Sequence, residues 1–395
     1  MPLIQIELKS SILQVAPEEW GSLERGESFY QSHSWLLWAE EDPAVRPVYV
    51  LAREPGGLIL GAVSAYVWSG ALDSRSCWYD PLRLFVAPGA SADKRRPAWF
   101  PLLLIGSRAG YHSDLFTAAG LDGATREAVA RALLRTCHEL AREAGAQSMA
   151  LMYASEETAR LAHRCARGAT SPIPTSAEAV IPAGPHDFGG YLSRFRRKRR
   201  NTIVREIEAF RAGGSTVREA RLADCCDQVG PLMAELQRKY GHADGDAEMT
   251  AHLKSQASAM NDISRVFLEV RDGEVVGFVL CYQWERTLQV RAAGFNYRAS
   301  APFAYFNLAY YQPMRYALDH GLHAINLGVG AYQVKVSRGA RLEPLWSVVW
   351  PPQDGNAEWF RAACRPPEEA IEARLLGAFS PSAFPDAAQP GGSGQ

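Results

Sequence analysis

Two eight-residue stretches, GAVSAYVW at 61–68 and GFVLCYQW at 277–284, constrain this chain most. Gly61 and Gly277, Val63 and Val279, Tyr66 and Tyr282, and Trp68 and Trp284 coincide at a constant offset of 216 residues. Each stretch reads as the second strand of a hairpin. A strand pattern precedes it, joined by a glycine-bearing turn at 54–57 or 271–273, which is hairpin chemistry. Each is followed later by a long helical pattern and another strand. The shared order predicts a duplication into two α/β (α+β) units of similar topology, and 395 residues are enough to give each a buried core. The run Pro182-Ala183-Gly184-Pro185 marks the expected boundary. The expected domains are 1–185, 186–365, and a short helix with a Pro/Gly/Ser-rich tail at 366–395, the tail's end disordered.

Composition narrows the function. With 42 basic and 43 acidic side chains the net charge is −1, so any nucleic-acid partner must be met by a local patch. The seven cysteines are scattered and never form C-x-x-C. That pattern predicts reduced thiols in a cytoplasmic protein, with neither a disulfide frame nor a zinc site. No His/Asp/Glu cluster suggests a metal and no Ser-His-Asp constellation is visible. The N-terminus MPLIQIELKS does not read as a signal peptide, and the apolar run at 100–105 is too short to span a bilayer.

The stretch 327–350, LGVGAYQVKVSRGARLEPLWSVVW, carries the clearest chemical candidate. It reads as a strand end, a glycine turn at Gly328 and Gly330, then Tyr332, Lys335, Arg338-Gly339 and a closing strand at 345–350. Glycines after a strand let the backbone turn sharply or approach a ligand. Lys335, among mostly apolar or small residues, is a donor and positive charge that a developing oxyanion could use. The plain alternative is a surface lysine in a loop.

Three stretches of the second half resemble one family. LSRFRRKRRNTIVREIEAF at 192–210 resembles the basic helix that opens the second domain of the Fem-type, FemAB-like group; RDGEVVGFVL is its hairpin; and GVGAYQVKVSRGA resembles its Tyr-x-x-Lys segment. The first half fits by element order and by the repeat. The resemblance implies two tandem GNAT-like domains, each a mixed, mostly antiparallel sheet flanked by helices. It implies an acyltransferase that moves an aminoacyl group from aminoacyl-tRNA to an amine, on a small metabolite or a cell-wall precursor, with no cofactor. Lys335 then stabilises the oxyanion, with Tyr332 beside it. An acyl-CoA donor is the alternative. Against it, the place where GNAT enzymes hold the CoA pyrophosphate on a glycine-rich turn reads Asn296-Tyr297-Arg298-Ala299-Ser300-Ala301-Pro302. Pro302 suits a helix start, with free amides expected at Ala304 and Tyr305. A duplicated fold that only binds is the third reading.

Other candidates follow. The helix predicted from 188 to 214 carries Arg194, Arg196, Arg197, Lys198, Arg199, Arg200 and Arg205 around an apolar stripe of Leu192, Phe195, Ile203, Ile207 and Phe210. Arg194, Arg197, Lys198, Arg200 and Arg205 are expected to meet phosphates of a tRNA acceptor stem or an anionic acceptor. The alternatives are a solvated face paired to Glu206 and Glu208, or attraction to a membrane surface. His242, after a predicted helix, is a candidate base for the acceptor amine, though a lone loop histidine is commonly just that. Tyr240, Asn296, Tyr305 and Arg338 complete the expected substrate-binding set.

Overall fold

The computed structural model describes residues 3–23, 28–43, 46–70, 76–86, 92–184, 187–239, 241–353, 355–380 and 383. Two compact units emerge. The first is Met1–Glu178 together with Leu342–Gln395; the second is Ala179–Arg341. The division thus falls after Glu178, inside a strand, and residues 342–365, expected with the second domain, group with the first.

In the first unit β1 (Gln5–Lys9), β2 (Arg46–Arg53), β3 (Ile59–Trp68) and β4 (Leu102–Ile105) pair antiparallel in that order. The short β5 (Phe116–Thr117) also pairs with β3, and β6 (Ser148–Ala154) lies parallel to β4. The helix Gly123–Glu143 covers this sheet through Val129, Leu133, Leu134 and Cys137, all fully buried. Asp122 starts it by accepting from the amides of Ala124 and Thr125. A further strand, β7 (Ile173–Pro182), crosses the division, its first six residues in the first unit and its last four in the second.

The second unit holds β8 (Thr216–Ala220), β9 (Ser264–Arg271), β10 (Glu274–Trp284), β11 (Thr287–Phe295) and β12 (Ala324–Asn326). Strands β8 to β11 pair antiparallel, β12 runs parallel to β11, and the end of β7 pairs antiparallel with β12. From Leu342 onward, β13 (Arg341–Trp350) belongs to the first unit, where Val348 and Trp350 face Leu151 and Met149 of β6. This pairing buries Val348, Val349 and Trp350, which explains the displaced boundary: the apolar closing strand completes the sheet of the other unit.

The sequence repeat has a structural counterpart in equivalent central strands. β3 lies antiparallel to β2 and β4, as β10 does to β9 and β11. Close packing fixes both repeated glycines. A Cβ on Gly61 would stand 2.5 Å from the Phe116 carbonyl oxygen and 2.6 Å from Val129, and one on Gly277 would stand 2.6 Å from the Phe295 ring.

Local expectations mostly map onto elements, with instructive differences. Ser32 accepts from the Trp35 amide and starts the helix His33–Ala39. Within 69–114 lie the helix Pro81–Phe85 and strand β4. Helix Asn356–Ala363 has no counterpart in the sequence reading. The helix expected over 188–214 is two helices, Phe188–Ser193 and Arg197–Ala212, separated where Arg196 leaves the helical region with ψ of 150°. At the break Arg194 donates to the carbonyls of Pro182 and Ala183, which fastens the chain there. No described helix is long and apolar enough to cross a membrane, and the described residues hold no group of three or more potential metal ligands. The tail from 384 onward lies outside the described residues.

The first unit also buries a titratable cluster. His112 Nδ1 lies 2.9 Å from Glu178 and Nε2 lies 3.2 Å from Asp114, whose other oxygen accepts from Ser155. Burial alone would push the imidazole down, but the two carboxylates outweigh it and hold it well above the ordinary histidine range. Burial likewise pushes Asp114 up, and its bond to and charge attraction for His112, with bonds from Thr158 and Ser155, hold it lower. A raised histidine contributes stability that is complete below the unfolded value of about 6.5 and is lost as pH rises through the folded value. His112→Gln is therefore expected to destabilise most at pH 6, with the difference shrinking toward pH 9 (urea denaturation at a series of pH values). A difference that grows with pH would contradict the charged cluster.

Candidate functional site

The segment after β12 is shaped by backbone conformations that few side chains adopt. Gly328 and Gly330 have φ of 65° and 74°, and Ala331 has φ of 49°. The left-handed region is costly for alanine and persists only where the surroundings enforce it. Ala331 caps the short helix Tyr332–Val336, which places Tyr332 and Lys335 one turn apart. Both are buried, Tyr332 completely and Lys335 to 6% exposure. Lys335 folds back over the loop. Its ammonium donates to the carbonyls of Leu327 (2.7 Å), Gly328 (3.0 Å) and Val329 (2.8 Å). An ammonium carries three protons, so an oxyanion would have to replace one of these carbonyls.

Arg338, one turn further, is 4% exposed and faces Glu206 of the basic helix. Its terminal nitrogen stands 3.1 Å from both carboxylate oxygens. The Tyr311 hydroxyl donates to Glu206 and accepts from Arg338 Nε at 3.2 Å. The guanidinium lies 3.6 Å from the centre of the Phe306 ring, and the Tyr191 hydroxyl donates to the Arg338 carbonyl. Tyr311 belongs to a π-helical turn, Asn307–Tyr311, set between Ala304–Phe306 and Gln312–Asp319. Asn307 in this turn donates to the Glu206 carbonyl. The sequence offered Glu206 only as a partner for the cations of its own helix, and the bonds of Tyr311, Asn307 and Tyr191 around the Arg338–Glu206 pair went unread. A signal existed for Glu206: it sits between Ile203 and Ile207 on the apolar stripe, where an acid needs a buried partner.

The remaining cations of the basic helix are different. Arg196, Arg197, Lys198, Arg199, Arg200 and Arg205 have no carboxylate within 4 Å among the described residues. The expected pairing to Glu206 does not occur, because Glu206 is committed to Arg338. Arg194 is apart from this strip, bonded to the carbonyls of the chain before the helix.

The other candidates are dispersed through the second unit. His242 is half-buried after the helix Cys226–Lys239, and its amide donates to Gln237. No hydrogen bond or ion pair links it to Lys335, Tyr332 or Arg338. Tyr240 lies outside the described residues. Asn296 closes the turn after β11 by accepting from the amides of Arg298 and Ala299. The Ala304 amide, expected to be free, donates to Ala301. Tyr305 is 42% exposed, edge-on to Phe295 and Tyr310.

The FemAB-like family model, described as peptidoglycan biosynthesis and recognition, matches residues 116–373. The chain belongs to this family. No curated protein matches the FemAB-like chain by sequence. Among solved structures, FemX aligns with a TM-score of 0.59 at 11% identity, covering 90% of this chain and 99% of that one. A conserved protein of unknown function from Bacteroides thetaiotaomicron VPI-5482 aligns with a TM-score of 0.55 at 11% identity, over 87% and 99% of the two chains. A tandem GNAT protein from the clavulanic acid biosynthesis pathway gives 0.52 at 13% identity, over 89% and 100%. The FemAB-like chain therefore has the fold of tandem GNAT proteins, as its sequence resemblance implied.

Lys335 in this FemAB-like chain is expected to order its loop. Lys335→Met removes three charge-assisted bonds and leaves the carbonyls at 327–329 without the ammonium. The expected cost is about 2–4 kcal/mol, with faster amide hydrogen exchange through 327–331. Unchanged exchange together with unchanged stability would mean that the ammonium does not hold the loop.

Proposed function

We propose that the chain is an aminoacyltransferase of the Fem type, working where charged tRNA is available in the cytoplasm. It takes the aminoacyl group from aminoacyl-tRNA and places it on an amine. The family description favours an amine of a peptidoglycan precursor over a small metabolite. The acceptor nitrogen attacks the ester carbonyl and a C–N bond forms. The tetrahedral intermediate collapses, the C–O bond breaks, and the proton lost by the amine ends on the departing ribose oxygen. Such a transfer needs a held amine, positive charge at the carbonyl oxygen and exclusion of water.

The observation that carries this reading is the row of unpaired cations at 196–200 and 205 on a FemAB-like chain of net charge −1. Unpaired arginines and lysines along one helix suit the phosphates of an acceptor stem. Lys335 supplies the fixed positive charge, and one of its carbonyl partners gives way as the oxyanion develops. Arg338 holds the Lys335 segment to the basic helix through Glu206 and so acts as a positioning residue.

The test is thermal stabilisation of the intact chain by two donors, charged tRNA and acetyl-CoA. A ligand at about a hundred times its dissociation constant stabilises by roughly 2.7 kcal/mol. Stabilisation by charged tRNA that fades steeply with salt, without any by acetyl-CoA, is expected. Stabilisation by acetyl-CoA alone would overturn the reading in favour of an acyl-CoA enzyme.

A further inference from the structure

At the far end of the basic helix, the second unit holds a cavity of about 440 Å³. Its lining includes the apolar Phe210, Val217 and Phe267 and the polar or charged Arg211, Gln312 and Arg315. The volume falls within the range of roughly 300–1,000 Å³ typical of small-molecule sites. Its lining carries two arginines and one glutamate, Glu219. Neither Arg211 nor Arg315 has a carboxylate within 4 Å among the described residues. Glu219, also on the lining, is 3.6 Å from Arg265 Nε and is compensated there. The Arg315 guanidinium carbon lies over the Phe188 ring, 3.7 Å from its centre, a cation–π contact that helps hold the side chain in place. Burial, and then the neighbouring charge of Arg211, lower the Arg315 pKa, with Asp319 opposing at longer range.

Several polar groups around the cavity are already engaged. Ser215 donates to Glu269, and the Asn307 amide donates to Phe303 and Glu206. Arg211, Arg315 and Gln312 have no side-chain hydrogen bond among the described residues. Two like charges beside one cavity, each with donors that no protein group takes up, suit an anion.

We propose that this cavity binds an organic phosphate, its phosphate held by Arg211 and Arg315 and its apolar body against Phe210 and Phe267. Two guanidinium groups match a phosphate monoester, which carries about −1.5 to −2 at neutral pH. A carboxylate would leave one of them uncompensated, and the arginine fork suits phosphate oxygens. The inference rests on the second unit alone and stands whether or not the chain uses aminoacyl-tRNA.

The test is calorimetric titration of the intact chain with phenyl phosphate at fixed ionic strength in chloride, with benzoate and inorganic phosphate in parallel. Phenyl phosphate is expected to bind at one site per chain and more tightly than either comparison anion. Arg211→Gln and Arg315→Gln are each expected to weaken it roughly tenfold or more, while Arg135→Gln, exposed on the long helix of the first unit, leaves it unchanged. Arg211 is exposed, so its variant is informative even where Arg315→Gln fails to fold. Absence of heat beyond the chloride control would overturn the proposal. So would benzoate or inorganic phosphate binding as tightly as phenyl phosphate, or binding that survives Arg211→Gln.

Discussion

Replacing Arg338 with alanine is expected to lower stability by about 3–5 kcal/mol, the usual cost of removing one partner from a buried ion pair. The side chains of Arg338 and Glu206 are 5% and 8% exposed, so water does not screen the charge left behind. Glu206 would keep the Tyr311 hydroxyl and lose both bonds to the guanidinium. The π-face contact with Phe306 would go too. Arg338→Lys keeps the charge but not the planar fork, and a smaller loss of about 1–2 kcal/mol is expected. Joint replacement, Arg338→Met with Glu206→Leu, is expected to restore most of the stability, because no unpaired charge remains. Urea denaturation of these variants separates the cases. A loss below about 1 kcal/mol for Arg338→Ala would place the pair in the range of solvent-exposed ion pairs.

The second large effect concerns the cations of the basic helix. Replacing Arg197, Lys198, Arg200 and Arg205 together with glutamine is expected to weaken binding of charged tRNA by on the order of 10²–10³ at 0.1 M salt. The slope of log affinity against log salt is expected to flatten by about 3, since each phosphate contact contributes roughly 0.7–0.9. Folding stability should change little, because these side chains have no carboxylate within 4 Å among the described residues to lose. Equal binding by the wild type and the fourfold variant would assign the strip to solvent.

What the sequence made legible was what local pattern controls. The repeated hairpins, the long helix after Asp122 and the amphipathic basic helix all follow from periodicity and turn chemistry, and the structure holds each, the basic helix broken between Ser193 and Arg197. The Tyr-x-x-Lys segment was visible as glycines before a lone lysine. What Lys335 bonds to was not visible, because its partners are backbone carbonyls of a turn that passes through left-handed Gly328. The destination of β13 was equally hidden. An apolar strand states that it will be buried, not which sheet will bury it. Arg338 was expected near a substrate, and the structure pairs it with Glu206. The clue lay 132 residues away in sequence, in an acid on an apolar stripe.

The π-helical turn at Asn307–Tyr311 makes the length of this segment matter as much as its composition. Successive helical residues advance by about 100°, and a π turn carries one residue more than the α-helical turn it replaces. Loss of a single codon within 307–311 would relax the turn and rotate Phe306 by about that angle relative to the residues beyond it. Phe306 lies against the Arg338 guanidinium, and Tyr311 bonds to its partner Glu206. An in-frame deletion there would therefore dismantle the buried pair while leaving both of its charged members in the gene.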